Sequence, residues 1–388
     1  MWQPYHPDLA YYGDRADGLL AGARDGTPAA VRLFARHGAP QDATGARRVV
    51  AAEHGCASWD ALEKRVAGLA GAPFARAYRA IEAHDPDGLG IVLAAHPEVA
   101  HQEGTNGNDL LGMAVATYDE RTVGLMLGAG ADPSHPNAHG WTPLHQVAYA
   151  DAVHLAPLLL EARADPGASG RGDGGTPLVA ALFWGNRRVA DLLTAAAGVL
   201  PRNLRAAAGA GDAALAGDLL GTDGAGAHRG FYRPHSGFPE WSPSGDPQEV
   251  LDEALAYAAR NDRPETVALL ARAGARLEAD VYRGTALTWA AATGAAGAAR
   301  TLLSLGAEVD GRSSFGGESH GRDVTPLHIA AQSGHADVAV LLLDAGADPA
   351  ARDGHGYGTP DGWAEHGGHP RLAERIRSHA RRATRDPG

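Results

Sequence analysis

Apolar residues recur along this chain at helical spacing, in short paired blocks separated by glycine. The block from Thr325 to Asp348 is the clearest. Leu327, Ile329, Ala330 and Ala331 make one apolar face, with small residues where helices approach closely. Thr325 suits the N-cap, where its hydroxyl takes an orphan amide of the first turn, and Pro326 fits the first helical position, where no amide is needed. Gly334 permits a left-handed turn between two helices, and Gly346 ends the second as a C-cap. The block therefore predicts helix, tight turn, helix, turn.

Copies of this block fill most of the chain. Thr142-Pro-Leu-His145, Thr176-Pro-Leu178, Thr285-Ala-Leu287 and Thr359-Pro360 begin others. Thr142 to Thr176 and Thr325 to Thr359 are steps of 34 residues, whereas Thr285 to Thr325 is 40. Asn108-Asp-Leu-Leu111, 34 residues before Thr142, opens a worn copy that leads to Gly130-Ala-Asp132. Two more units, Leu204 to Gly221 and Val250 to Ala275, lack the Thr-Pro start. Asp132, Asp165, Asp310 and Asp348 open the loops to the next unit. Ahead of these lie helical pairs without the signature, at Ala16 to Ala39, Ala46 to Leu69 (with Ser58 as a cap) and Phe74 to Val99.

The period and the Thr-Pro-Leu-His signature resemble the ankyrin repeat, a unit of roughly 33 residues. The leading segment looks like one often found in bacterial members of that family, and the Ala-, Gly- and Arg-heavy composition fits a GC-rich bacterial genome. The resemblance implies an all-α ankyrin-repeat solenoid of stacked helix–turn–helix units with finger loops. Such units stack because none buries its apolar face alone. Residues 1–72 are expected to form an atypical helical cap and 73–383 one repeat array, with starts near 108, 142, 176, 202, 253, 285, 325 and 359. Insertions are expected at 221–248 and 311–323, Leu372 to Arg382 should close the far end, and 384–388 form a tail.

Composition narrows the chemistry. The 388 residues carry a net charge of −12, and that balance, with no basic cluster apparent, argues against nucleic acid and anionic membranes as partners. No apolar run approaches the roughly 18 residues of a membrane span, and no secretory signal opens the chain. The chain thus reads as a soluble cytoplasmic protein. Cys56 is the single cysteine and Lys64 the single lysine, which excludes internal disulfides, cysteine zinc sites, phosphate-loop lysines and kinase lysines. Gly209-Ala-Gly211 imitates a dinucleotide fingerprint, but it follows a helix and falls where Gly334 falls, so it reads as a turn. The nineteen histidines show no standard metal spacing: His145 and His328 belong to the signature, His335 to a turn, and His366-Gly-Gly-His369 lacks helical spacing. No Gly-x-Ser-x-Gly elbow occurs, and Cys56 reads as an inert thiol. No cofactor and no metal are expected.

The two insertions are the candidate chemistry. The first contains Phe231, Tyr232, Arg233, His235, Phe238, Glu240 and Trp241; the second contains Phe315, Glu318 and His320. Four aromatics within eleven residues argue against disorder, and so long a loop is uncommon unless functional or disordered. Either the aromatics anchor the loop, or they hold Arg233, His235, Glu240, Glu318 and His320 around a pocket. By the ankyrin pattern, the residues before each inter-helix turn face the groove: Tyr149, Phe183, Trp184, Arg260 and Gln332, although by residue type Phe183 and Trp184 fit the core equally well. Finger residues beside them are His139, Trp141, Tyr282 and Arg283. Tyr, Trp and Arg dominate binding hot spots. Trp289 and Trp363 take apolar positions and read as core. The reading is an adaptor that binds another protein or peptide through its groove and fingers. The alternative is a small-molecule- or peptide-modifying enzyme with His235, Glu240, Glu318 and His320 beneath the insertions.

Overall fold

A computed structural model describes residues 6, 8–70, 72–104, 109–137, 140–169, 175–222, 224, 246–315, 323–354 and 358–383. Among them every regular element is a helix, and extended pairing is limited to isolated bridges at Glu103–Asp109, Val281–Gly284 and Ser313–Val324. The chain divides into two compact units, Met1–Arg171 and Gly172–Gly388.

The first unit runs α1 (Leu9–Arg24), α2 (Pro28–Arg36), α3 (Ala43–Glu53), α4 (Trp59–Ala70), α5 (Pro73–Glu82), α6 (Pro86–Ala95), a 3₁₀ turn (Pro97–His101), α7 (Leu110–Val115), α8 (Glu120–Gly128), α9 (Pro143–Ala150) and α10 (Leu155–Glu161). Aspartate does here what threonine does in the signature. Asp8, Asp42, Asp85, Asp109 and Asp119 each accept a first-turn amide. Asp8 starts α1 seven residues before Ala16, where the apolar pattern alone placed it. Ser58 also caps, accepting from the Ala61 amide at 3.2 Å. Tyr12, Phe34, Val49, Leu62 and Val66 pack together as the core of the first two pairs. Cys56 is buried there, its thiol pushed up by desolvation, which leaves it a poor nucleophile.

The second unit runs α11 (Pro177–Trp184), α12 (Arg187–Ala197), α13 (Leu204–Ala210), α14 (Ala213–Thr222), α15 (Pro247–Arg260), α16 (Pro264–Arg272), α17 (Ala286–Thr293), α18 (Ala296–Ser304), α19 (Pro326–Gln332), α20 (Ala336–Asp344), α21 (Pro360–His366) and α22 (Pro370–Ala383). Leu327, Ile329, Ala330 and Ala331 are all buried, and so are Trp289 and Trp363. Asp246 caps α15 ahead of Pro247, so this helix begins several residues before the register of the neighbouring repeats.

The signature histidine completes a capping box. The Thr325 amide donates to His328 Nδ1 at 3.2 Å, and the Thr325 hydroxyl meets the same atom at 2.8 Å. With Nδ1 accepting, Nε2 carries the proton and donates to the Gly358 carbonyl at 3.3 Å. One imidazole thus caps the start of a helix and ties it to the next repeat. His145 repeats the local half of this arrangement with Thr142 in the first unit. The turns between helices need glycine twice over. Gly334 has φ of 75°, and a Cβ there would lie 2.4 Å from the His369 ring. Gly294 has φ of 67° and is covered by His335 in the same way.

Two consequences are measurable. Leu327→Ala removes a fully buried side chain at an inter-repeat contact and should cost about 2–5 kcal/mol in urea unfolding, with amide exchange accelerated in α19 and α20. Acid should act oppositely on two buried groups, Asp109 and His328. Burial pushes the Asp109 carboxyl up to about 6, against the Gly112 amide that lowers it, whereas an unfolded aspartate titrates near ~4. The stability it contributes is complete below about pH 4 and lost as pH rises through about 6. Burial lowers His328 below the usual histidine range, so its contribution is complete above about pH 6.5 and lost as pH falls. Going from pH 7 to 5, amide protection around α7 should rise by about 1 kcal/mol while that around α19 falls. Asp109→Asn, which keeps a capping oxygen, should flatten the first trend.

Candidate functional site

The residues expected to face a partner divide sharply once placed. Arg260 and Tyr282 were expected on the surface and Phe183 either there or in the core; all three are buried, with Arg260 fully enclosed. The cause is the arginine itself. Its guanidinium lies 3.7 Å from the centroid of the Trp289 ring and 5.0 to 5.4 Å from those of Phe183, Tyr282 and Tyr257. Nε donates to the Ala256 carbonyl at 3.1 Å and Nη1 donates to the carbonyl of Phe183. Burial pulls its pKa down to about 10, still cationic at neutral pH. The four rings face the cation directly, and the Glu253 carboxylate adds a longer-range attraction. Phe183 and Tyr282 meet edge-on at 5.0 Å, completing the cage. The aromatic and arginine positions of this face are therefore spent on one another.

A second buried charge lies along the same helix. Arg205 Nε donates to Glu253, and both side chains are fully enclosed. Counted back from the left-handed residue that ends each first helix, Arg205 stands where His328 stands, six residues before Gly211. Glu253 stands where Thr325 stands, nine residues before Asp262. In the two repeats that lack the signature, a buried ion pair thus fills signature positions. Asp252, beside it, takes the Arg276 amide at 2.7 Å and its guanidinium at 2.7 and 2.8 Å. Asn261 donates to the Leu182 carbonyl at 2.7 Å and Arg263 to the Gly209 carbonyl at 3.1 Å. These bonds hold successive repeats in one register.

Surface aromatics remain elsewhere. In the first unit, Trp141 stacks on the capping His145 at 5.8 Å and meets Tyr149 edge-on at 5.8 Å. Tyr149 is 48% exposed, among the largest apolar exposures described. The Trp141 amide donates to Asn137 Oδ1 and the Asn137 amide to the Trp141 carbonyl, which fixes the loop that carries the indole. In the second unit Trp184, Arg283 and Gln332 are half-buried. Phe315, also half-buried, packs edge-on against Trp289 at 4.8 Å. His139, Tyr232, Arg233, His235, Phe238, Glu240, Trp241, Glu318 and His320 lie outside the described residues, as do the greater parts of both insertions. Among the described residues no group of three His, Cys, Asp or Glu side chains could hold a metal ion, and no helix is long and apolar enough to cross a membrane.

Comparison with known proteins agrees with the geometry. A model of the ankyrin repeat matches residues 322–354, and a model of three consecutive ankyrin repeats matches 111–202 and 240–313. The chain belongs to the ankyrin-repeat family. It is 44% identical over 72 residues to palmitoyltransferase Hip14 of Drosophila melanogaster, covering 19% of this chain and 10% of that protein. It is also 44% identical over 75 residues to the human ARF GTPase-activating protein GIT1, 19% of this chain and 9% of that one. The chain thus spans about a tenth of the length of the curated relatives it matches. The likeness is that of about two ankyrin repeats.

Sequence reasoning missed Tyr257, Arg205 and Glu253, and it missed a basic stretch on α22. Arg371, Arg375, Arg377, Arg381 and Arg382 do form a basic cluster, contrary to expectation. Charged residues in the signature columns of ankyrin repeats were the available signal for the ion pair. Arg205→Ala should cost about 3–5 kcal/mol in urea unfolding, because it leaves Glu253 charged, enclosed and without that partner. The double variant Arg205→Met with Glu253→Met should recover most of that loss.

Proposed function

We propose that this chain is a protein-interaction module that captures a partner protein or peptide on the face carrying the first helices and finger loops. The observation that carries this reading is the Trp141–Tyr149 pair. Two large rings are held rigidly by a capping histidine and a loop hydrogen bond, yet one of them stays exposed. An exposed aromatic with little rotamer freedom left to lose is a favourable anchor. Family membership supports the reading, since stacked repeats offer an extended surface and no catalytic frame of their own. In the second unit, Trp184 and Arg283 are the half-buried side chains suited to the same role.

A tagged chain should co-purify with a defined partner from its source cells, and Trp141→Ala with Tyr149→Ala should weaken that complex by more than about 1 kcal/mol per anchor in titration calorimetry. Tyr149→Ala alone should leave unfolding within about 0.5 kcal/mol of the parent, because its ring is largely outside the core. Capture that persists undiminished in the double variant would remove this face from the interaction.

A further inference from the structure

The arginines of α22 fall into two groups. Arg377 is held by Glu365 at 2.8 Å, Asp361 at 3.2 Å and Glu374 at 3.3 Å, and Arg381 by Glu374 at 2.5 Å. Arg371 and Arg375 are exposed and make no ion pair or hydrogen bond among the described residues. With His379 they stand at successive i, i+4 positions, one stripe along the helix. Ala373 and Ile376 turn the other way, into the core, and Leu372 is buried but for an edge.

That stripe borders α20 across a groove. Two adjoining hollows of about 360 and 480 Å³ share Arg375 as a common wall. One is completed by Val340, Leu343 and His379, the other by His369, Arg371 and Leu372. The His369 ring is fixed against the bare backbone of Gly334, which makes it part of a formed floor. Asp344, lining the first hollow, is the one carboxylate among the lining residues. Two guanidinium groups against one carboxylate leave the groove positive in a chain whose net charge is −12.

We propose that this groove docks an acidic segment of a partner protein, with Asp or Glu side chains paired to Arg371 and Arg375 and an apolar residue seated against Val340, Leu343 and Leu372. Charge complementarity selects the ligand's sign, and guanidinium forks suit carboxylates geometrically. The chain's negative total selects its size. A long polyanion would meet repulsion from the rest of the molecule, whereas a short segment feels mainly charges within a screening length of about 8–10 Å. The second hollow presents more apolar than polar surface, which suits a peptide side chain better than a phosphate backbone. This surface lies on a second helix and its neighbour in the second unit, whereas the Trp141–Tyr149 pair belongs to the first.

The test is fluorescence anisotropy with the full chain and a labelled peptide of about twelve residues alternating Asp or Glu with Leu. Its controls are the same peptide with Asn and Gln in place of the acids, a single-stranded DNA, and phosphatidylserine vesicles. The acidic peptide should bind, and its affinity should fall as salt is raised. Arg371→Gln with Arg375→Gln should weaken it about tenfold or more. Arg300→Gln, an exposed arginine on α18, should leave it unchanged. Equal binding of the uncharged peptide, undiminished binding to the double variant, or tighter arginine-dependent binding of DNA or vesicles would each overturn the proposal. Self-association of the chain that the double variant abolishes would also overturn it, by assigning the groove to a second copy.

Discussion

Close approach between first helices is the constraint on which the second unit rests. Three and four residues before the left-handed turn residues Gly211, Asp262, Gly294 and Gly334 stands a pair of alanines: Ala207-Ala208, Ala258-Ala259, Ala290-Ala291 and Ala330-Ala331. All eight are without exposure. A methyl group lets helix backbones come near, but each one buries little apolar area, at about 25 cal/mol per Å². No single pair of helices is therefore stable by itself, and the array gains stability only as the column of contacts lengthens. The turn glycines obey the same limit. Gly294 and Gly334 are covered by a histidine from the following repeat at distances that leave no room for a side chain.

Tight packing in this column displaces larger groups to its edges, and there the chain places charge. The Arg205–Glu253 pair and the caged Arg260 lie on helices whose repeats lack the Thr-Pro-Leu-His start. A capping box satisfies its donors locally and links repeats through one imidazole. An ion pair reaching from one first helix to the next performs the linking without the cap. Such a pair contributes little net stability against well-packed apolar residues. What it does contribute is register, because a shifted stack would strand two charges in the interior. The cage works similarly, since Arg260 touches rings from three other helices or loops and a carbonyl of α11.

The repeats were readable from the sequence because their signals are local: a threonine cap, a proline at the first position, a glycine where φ is positive. Helix existence and the core role of Trp289 and Trp363 followed from that register. The first unit was harder to bound, because aspartate caps such as Asp8 and Asp42 carry no family signature. Arg260 and Tyr282 were misjudged for a different reason. Register states which way a position points, but whether it meets solvent depends on what neighbouring repeats bring to it. Tyr149 and Arg260 both stand in the column expected to face the groove. Tyr149 remains at the surface, while Arg260 is closed over by rings from elsewhere in the chain. No periodicity in a single sequence encodes that difference.

The same reasoning separates the arginines of α22. By composition they form one basic cluster, and by position they form two functions. Those that face α21 and Glu374 meet carboxylates of their own repeat and finish its internal structure. Those one face away border α20, whose nearest carboxylate in the groove is the single Asp344. A folded chain tends to satisfy its charges within reach, so a formed groove with two guanidinium groups left to solvent is the part of that cluster the fold itself does not use. Residue type brings a side chain to notice. Whether its capacity for contact is already exhausted inside the molecule decides what it has left for a partner.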